Sequence, residues 1–241
     1  MTQPPDERTP RRPGAAPEDR RPEADGEREE AVELAAEIEL FSAERMIFFT
    51  DAVVAIAITL LALGLPLPHG SSNSELLRSI RARESEYLAF AISFLVIGSY
   101  WRLHHRLFRF VARLSGRLMT LNMIWLFFIV VIPFAARVLA GSNGFGVRFS
   151  LYALVQVLIA LTSLGLMRLL RTDGLLRPSA PPAPPHGSLR LLTVAVMFAA
   201  SIPVAFFTPY AYLCWIAAPL AANLMRRARV LRMAAAARGR T

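Results

Sequence analysis

The sequence predicts an all-α polytopic membrane protein with six transmembrane helices, and three observations carry that prediction. Hydrophobic residues make up 54% of its 241 positions and the mean hydropathy is +0.42, more apolar than an ordinary soluble domain. Six apolar segments recur along the chain, most of them near the twenty or so helical residues needed to cross a hydrocarbon core of about 30 Å. Finally, the arginines fall in alternate loops between those segments, the pattern that marks one side of a membrane.

Residues 1–30 are Pro, Arg, Glu, Asp, Gly and Ala with almost no large apolar side chain, so they are expected to form a disordered cytoplasmic tail. They do not have the cationic start and short apolar core of a secretory signal. From Ala31 to Glu44 the composition favours helix, as an acidic collar on the first span. The spans are expected at Met46–Leu67, Tyr87–Phe108, Leu118–Ala140, Val147–Leu169, Leu191–Phe207 and Tyr210–Met225. The last two are short and separated by Thr208 and Pro209, so five spans, or six with one re-entrant, remain open. Residues 31–228 are read as the membrane domain and 229–241 as a basic cytoplasmic tail. Leu76, Leu77 and Ile80 in the first outer loop have helical spacing and predict a short helix lying on the outer interface. Ser179–Ser188, SAPPAPPHGS, predicts an extended linker.

Charge is distributed unevenly. Residues 1–45 hold 7 arginines and 13 acidic residues, whereas the remaining chain holds 20 arginines and 5 acids, and there is no lysine. With the N-terminus inside, 22 arginines fall on inner segments and 5 on outer ones, which places both termini in the cytoplasm of a cell with an inner membrane. The arginines lie between apolar runs rather than on one polar face, so nucleic acid is not an expected partner. A single cysteine, Cys214, precludes an intrachain disulfide, and neither a thiolate metal site nor a GxSxG or HExxH constellation is present. No enzyme chemistry, cofactor or metal is expected.

Polar chemistry enters the first span at Asp51. A carboxylate about one and a half turns inside an apolar helix needs a partner. Alternating topology brings Trp101, His104 and His105 at the end of span two, and Asn122 at the start of span three, to a similar depth. His104 and His105 point about 100° apart on one helix, which disfavours a shared metal. Beyond Asp51, Ile56, Leu60 and Leu63 fall at i, i+4 and i+7 with Thr59 beside them. Periodicity alone reads such a stripe as packing or lipid contact. A small secondary transporter relaying protons through Asp51 and a histidine is an alternative reading, and a scaffold presenting the acidic tail is a third.

Arg45–Asp51, an R-x-x-x-F-[ST]-D pattern running into AVVAIAITLLAL, resembles the opening of the transmembrane protein 175 family of potassium channels, in its bacterial single-unit branch. Glu75–Phe110, with Tyr100-Trp101 and His104-His105, resembles that family's outer helix and second span, and Asn122 with Val131–Phe134 fits its third. The likeness is strong over Ala43–Ala140. It implies a non-canonical potassium channel fold, assembled in lipid as a homotetramer around the first helix and passing potassium ions. It also implies a hydrophobic constriction beginning five residues after the Asp, here Ile56, then Leu60 and Leu63 with Thr59 alongside. Arg45, Phe49, Thr50, Asp51, Trp101, His104 or His105, and Asn122 become the expected signature and inter-helix network. Thr50 stands where Ser is commoner and keeps the hydroxyl. The carbonyl filter TVGYG of familiar potassium channels is absent, so selectivity must arise otherwise.

Overall fold

The computed structural model describes residues 21–177, 179–180 and 187–215. These form six helices: α1 (Arg21–Leu63), α2 (Asn73–Ala82), α3 (Glu84–Phe108), α4 (Gly116–Ala140), α5 (Phe145–Thr172) and α6 (Gly187–Ala205). Two compact units divide at Glu39 and Leu40, and the candidate site residues belong to the second. Within the first, the described side chains are exposed apart from the half-buried Glu39. Helix α1 begins at Arg21, within the stretch expected from composition to be a tail.

Local signals set the helix ends. Ser72 caps α2 by accepting from the Glu75 amide at 3.3 Å, and the Glu75 carboxylate accepts from the Ser71 amide and hydroxyl at 2.8 and 2.9 Å. Ser115 caps α4 by accepting from the Leu118 amide at 3.2 Å. Both caps satisfy amides that a helix start leaves unpaired. The α4–α5 turn closes at Gly144, whose φ of 67° suits a residue without Cβ. Arg148 locks that turn by donating to the carbonyls of Leu139, Gly141 and Asn143, cancelling acceptors that α4 leaves open.

Among the described residues four helices are long and apolar enough to cross a membrane: Glu30–Leu63, Gly116–Ala140, Phe145–Thr172 and Gly187–Ala205. α3 is the second predicted span in place and length, although its ends carry more charge. α2 coincides with the predicted interfacial helix and buries no residue. α6 ends at Ala205, two residues past Pro203, and the chain turns through a 3₁₀ turn at Pro209–Ala211 capped by Thr208. The predicted break between spans five and six is therefore present. Most of the sixth span, both tail termini and the centre of the proline-rich linker lie outside the described residues, so a six-helix crossing is not established.

α4 packs against α3 and α5, and α5 against α6. The core between them is built on Ile97, Trp125, Ile129, Ile132, Phe149, Tyr152, Ile159 and Leu166. From α1 it receives Ala43, Met46, Val54, Ala57 and Leu61, spaced at three, four or multiples of a turn so that they share one face. Alanine at two of those positions permits close backbone approach, as in membrane helix pairs generally.

Candidate functional site

Two polar contacts join α1 to its neighbours, and consecutive residues supply them. Thr50 is fully buried. Its hydroxyl donates to the Met46 carbonyl at 2.9 Å and accepts from Asn122 Nδ2 on α4 at 2.9 Å. Asn122 Oδ1 in turn meets His104 Nε2 on α3 at 2.8 Å. Since the amide nitrogen is already donating to Thr50, its oxygen must accept, so Nε2 of His104 carries the hydrogen. The result is a directional chain, His104 to Asn122 to Thr50 to the Met46 carbonyl, through three helices. Each bond polarises the next in the same sense.

His104 is held from both sides. Its ring stacks on Phe108 at 3.9 Å and on Trp125 at 4.6 Å between centroids, while Trp125 Nε1 donates to Ser163 of α5 at 3.0 Å. Nδ1 is buried and has no hydrogen-bond partner among the described residues. With the hydrogen on Nε2, that atom is a bare lone pair, which is cheaper to bury than an unpaired N–H.

Asp51, half-buried, turns the other way. Its Oδ1 accepts from Trp101 Nε1 on α3 at 2.9 Å, giving the carboxylate the partner that its depth demanded. His105 lies at the surface with its ring 5.7 Å from that of Trp101. Arg45 is exposed, its guanidinium 5.9 Å above the Phe41 ring. The structure thus brings together Thr50, Asn122 and His104 in one group and Asp51 and Trp101 in another. Arg45, Phe49 and His105 stand outside both hydrogen-bonded groups. Of the two histidines, His104 is the one inside.

The stripe expected on the first span is also resolved. Phe49, Ile56 and Leu63 are 52%, 58% and 80% exposed, and Ala52 and Thr59 are exposed between them. The spacing of three and four carries this face along the helix, opposite the packed one. Leu60 is half-buried and sits at the edge of the face rather than on it. Thr59 donates its hydroxyl hydrogen to the Ile56 carbonyl at 2.8 Å, so it offers the stripe little polarity. Among the described residues no three His, Cys, Asp or Glu side chains converge to hold a metal.

A second buried polar set escaped sequence reasoning. Ser93 and Tyr152 hydroxyls lie 3.0 Å apart, and the Tyr100 hydroxyl donates to the Gln156 carbonyl at 3.4 Å, joining α3 to α5. The available signal was one polar residue per two turns, Ser93 and Tyr100 on one helix and Gln156 and Ser163 on the other, each on the face that packs inward.

The family profile described as "Endosomal/lysosomal potassium channel TMEM175" matches residues 45–133, from the α1 arginine through most of α4. That region of the chain is similar to the TMEM175 family. A potassium channel from Streptomyces collinus is 37% identical over 135 residues, 54% of this chain and 66% of that one. Another from a Chryseobacterium strain is 34% identical over 99 residues, 41% of this chain and 50% of that one. The chain therefore aligns with between half and two thirds of the length of these relatives. The crystal structure of a lysosomal potassium-selective TMEM175 homologue from Chamaesiphon minutus superposes with a TM-score of 0.61 at 26% identity, covering 74% of this chain and 95% of that one. Every residue of the Thr50–Asn122–His104 chain and of the Asp51–Trp101 pair falls inside the matched TMEM175 region.

Proposed function

We propose that this chain is a potassium-permeable channel of the cell membrane, not an enzyme, formed by four copies around α1 with both termini in the cytoplasm. The observation that carries the reading is the division of α1 into two faces. One is fixed into its own subunit by Thr50, Asp51 and the small apolar residues. The other, Phe49–Ala52–Ile56–Thr59–Leu63, is apolar and uncovered over about 20 Å of helix.

Placed around a fourfold axis, that face makes successive rings. Ile56 and Leu63 form apolar constrictions about 10 Å apart, Leu60 flanks them, and Thr59 adds a hydroxyl ring between. Such rings gate by dewetting and favour the ion that gives up its water more readily. The match to the TMEM175 profile and two relatives named as potassium channels support potassium as that ion. The arginine bias supports the orientation. A proton relay would need Asp51 and a histidine on one path. Asp51 instead bonds Trp101 while His104 bonds Asn122.

Reconstituted into liposomes, the protein should pass potassium faster than sodium. Ile56→Asn should admit sodium more readily by wetting the narrowest ring. Equal potassium preference in a correctly assembled Ile56→Asn protein would remove Ile56 from the pore and overturn this reading.

A further inference from the structure

The α3–α4 and α5–α6 connections are not independent loops. Val111 and Leu176 form an antiparallel bridge. The Ala112 amide donates to the Leu175 carbonyl at 2.9 Å and the Arg177 amide to the Phe110 carbonyl at 2.8 Å. Phe108, Val111 and Leu175 are buried beneath the bridge, which ties it to the bundle.

This clamp fixes the backbone of an arginine-dense surface. Arg106, Arg109, Arg113, Arg117 and Arg171 are exposed and Arg177 is half-buried. Arg109 extends over the Phe110 ring at 4.9 Å. The one acid in these two connections, Asp173, accepts the hydroxyl hydrogen of Thr172 at 2.8 Å. The surface lies where α3 ends, α4 begins and α5 ends, which for membrane-crossing helices is the depth of lipid headgroups. Arginine presents a fork that matches two phosphate oxygens, and its apolar stem lies along acyl chains while the charge reaches the headgroup.

We propose that this clamped arginine surface binds anionic phospholipid, recognising the headgroup phosphodiester together with its net negative charge. Ordinary juxtamembrane basic segments attract such lipids only as a diffuse cloud. Here the bridge orders the backbone before the lipid arrives, so less entropy is lost on binding. The inference requires helices that cross a bilayer but not that the pore conducts.

The test is thermal unfolding of the purified full chain in neutral detergent, titrated with phosphatidylglycerol or phosphatidylcholine. Phosphatidylglycerol should raise Tm by about 5 °C at saturation and phosphatidylcholine by less than about 1 °C. Arg109→Gln/Arg113→Gln/Arg177→Gln should weaken the phosphatidylglycerol midpoint about tenfold, whereas Arg78→Gln/Arg81→Gln/Arg83→Gln at the other end should leave it unchanged. Ala112→Pro removes a bridge amide while keeping every arginine, and should weaken the midpoint about threefold. The proposal is overturned if the first triple variant keeps the full lipid response, or if inorganic phosphate or polyglutamate alone reproduces the shift. Potassium flux measured on the same samples separates the two readings. Lipid response without flux sinks the channel, and flux without lipid response sinks this surface.

Discussion

The two faces of α1 have nearly the same hydrophobicity and opposite fates. On one, Ala43, Met46, Thr50, Val54, Ala57 and Leu61 are at most 6% exposed, and the lone hydroxyl is doubly bonded. On the other, Phe49, Ile56 and Leu63 are all more than half exposed. The difference is one of packing rather than polarity. One face seats against the neighbouring helices and is tied to them through Thr50, while the bulky residues of the other are left uncovered.

The sharpest way to break the comparison is to put the same substitution on both faces. Val54→Asn buries an amide with no partner beside Ala57 and should cost about 3 kcal/mol, read as a large drop in thermal stability or loss of folded protein. Ile56→Asn should cost less than about 1 kcal/mol because the side chain projects out of the subunit, yet it should move the reversal potential under opposed potassium and sodium gradients. Leu60→Asn, at the edge of the face, should fall between them in stability and shift ion preference less than Ile56→Asn. Equal destabilisation at positions 54 and 56 would erase the distinction between the faces.

The packed face can be tested bond by bond. Asn122→Leu leaves His104 Nε2–H and the Thr50 oxygen without their partner and should cost about 2 kcal/mol. Thr50→Val, nearly isosteric, should cost about 1 kcal/mol, while Thr50→Ser should be close to neutral because the hydroxyl is the part that is used. Trp101→Phe removes only the donor to the half-buried Asp51, and about 0.5 kcal/mol is expected. Thermal unfolding of each variant in detergent checks the order. A Thr50→Ser loss as large as that of Thr50→Val would shift the credit from the hydroxyl to the methyl.

Much of this was legible in the residues. Apolar length located the spans, the helical spacing of Leu76, Leu77 and Ile80 located the short outer helix, and the cost of an inward Asp51 demanded a partner that Trp101 supplies. What sequence could not decide was direction around a helix axis. His104 and His105 are chemically identical and adjacent, and only packing against Trp125 and Phe108 selects the first. Leu60 fits the i, i+4 pattern with Ile56, but the stripe follows Thr59 and Leu63 instead, since the helix is turned by how Ala57 and Leu61 seat in the core. Ser93, Tyr100 and Tyr152 each looked like an isolated polar residue in an apolar run. Their bonds join helices far apart in sequence, and no local pattern encodes that distance.

The smallest expected effect lies outside the membrane, in α2, where neither face of the helix is buried and its N-terminal bonds matter most. Hydrogen bonds from the Ser71 amide and then its hydroxyl hold the Glu75 carboxyl below its ordinary value of 4.5. A depressed carboxylate pKa means that the folded state favours the charged form. Its contribution is therefore fully present above the unfolded value near 4.5 and is lost as pH falls through the lower folded value. Amide hydrogen exchange in Asn73–Ala82 should accordingly quicken, relative to its intrinsic rate, as pH drops below about 4.5. Glu75→Gln should show the faster exchange at neutral pH and no further acid dependence from this site. The spans, whose bonds among Thr50, Asn122 and His104 involve no carboxylate, should keep their protection over the same interval. Equal acid sensitivity in α1 would mean that the response is not confined to the Glu75 cap of α2.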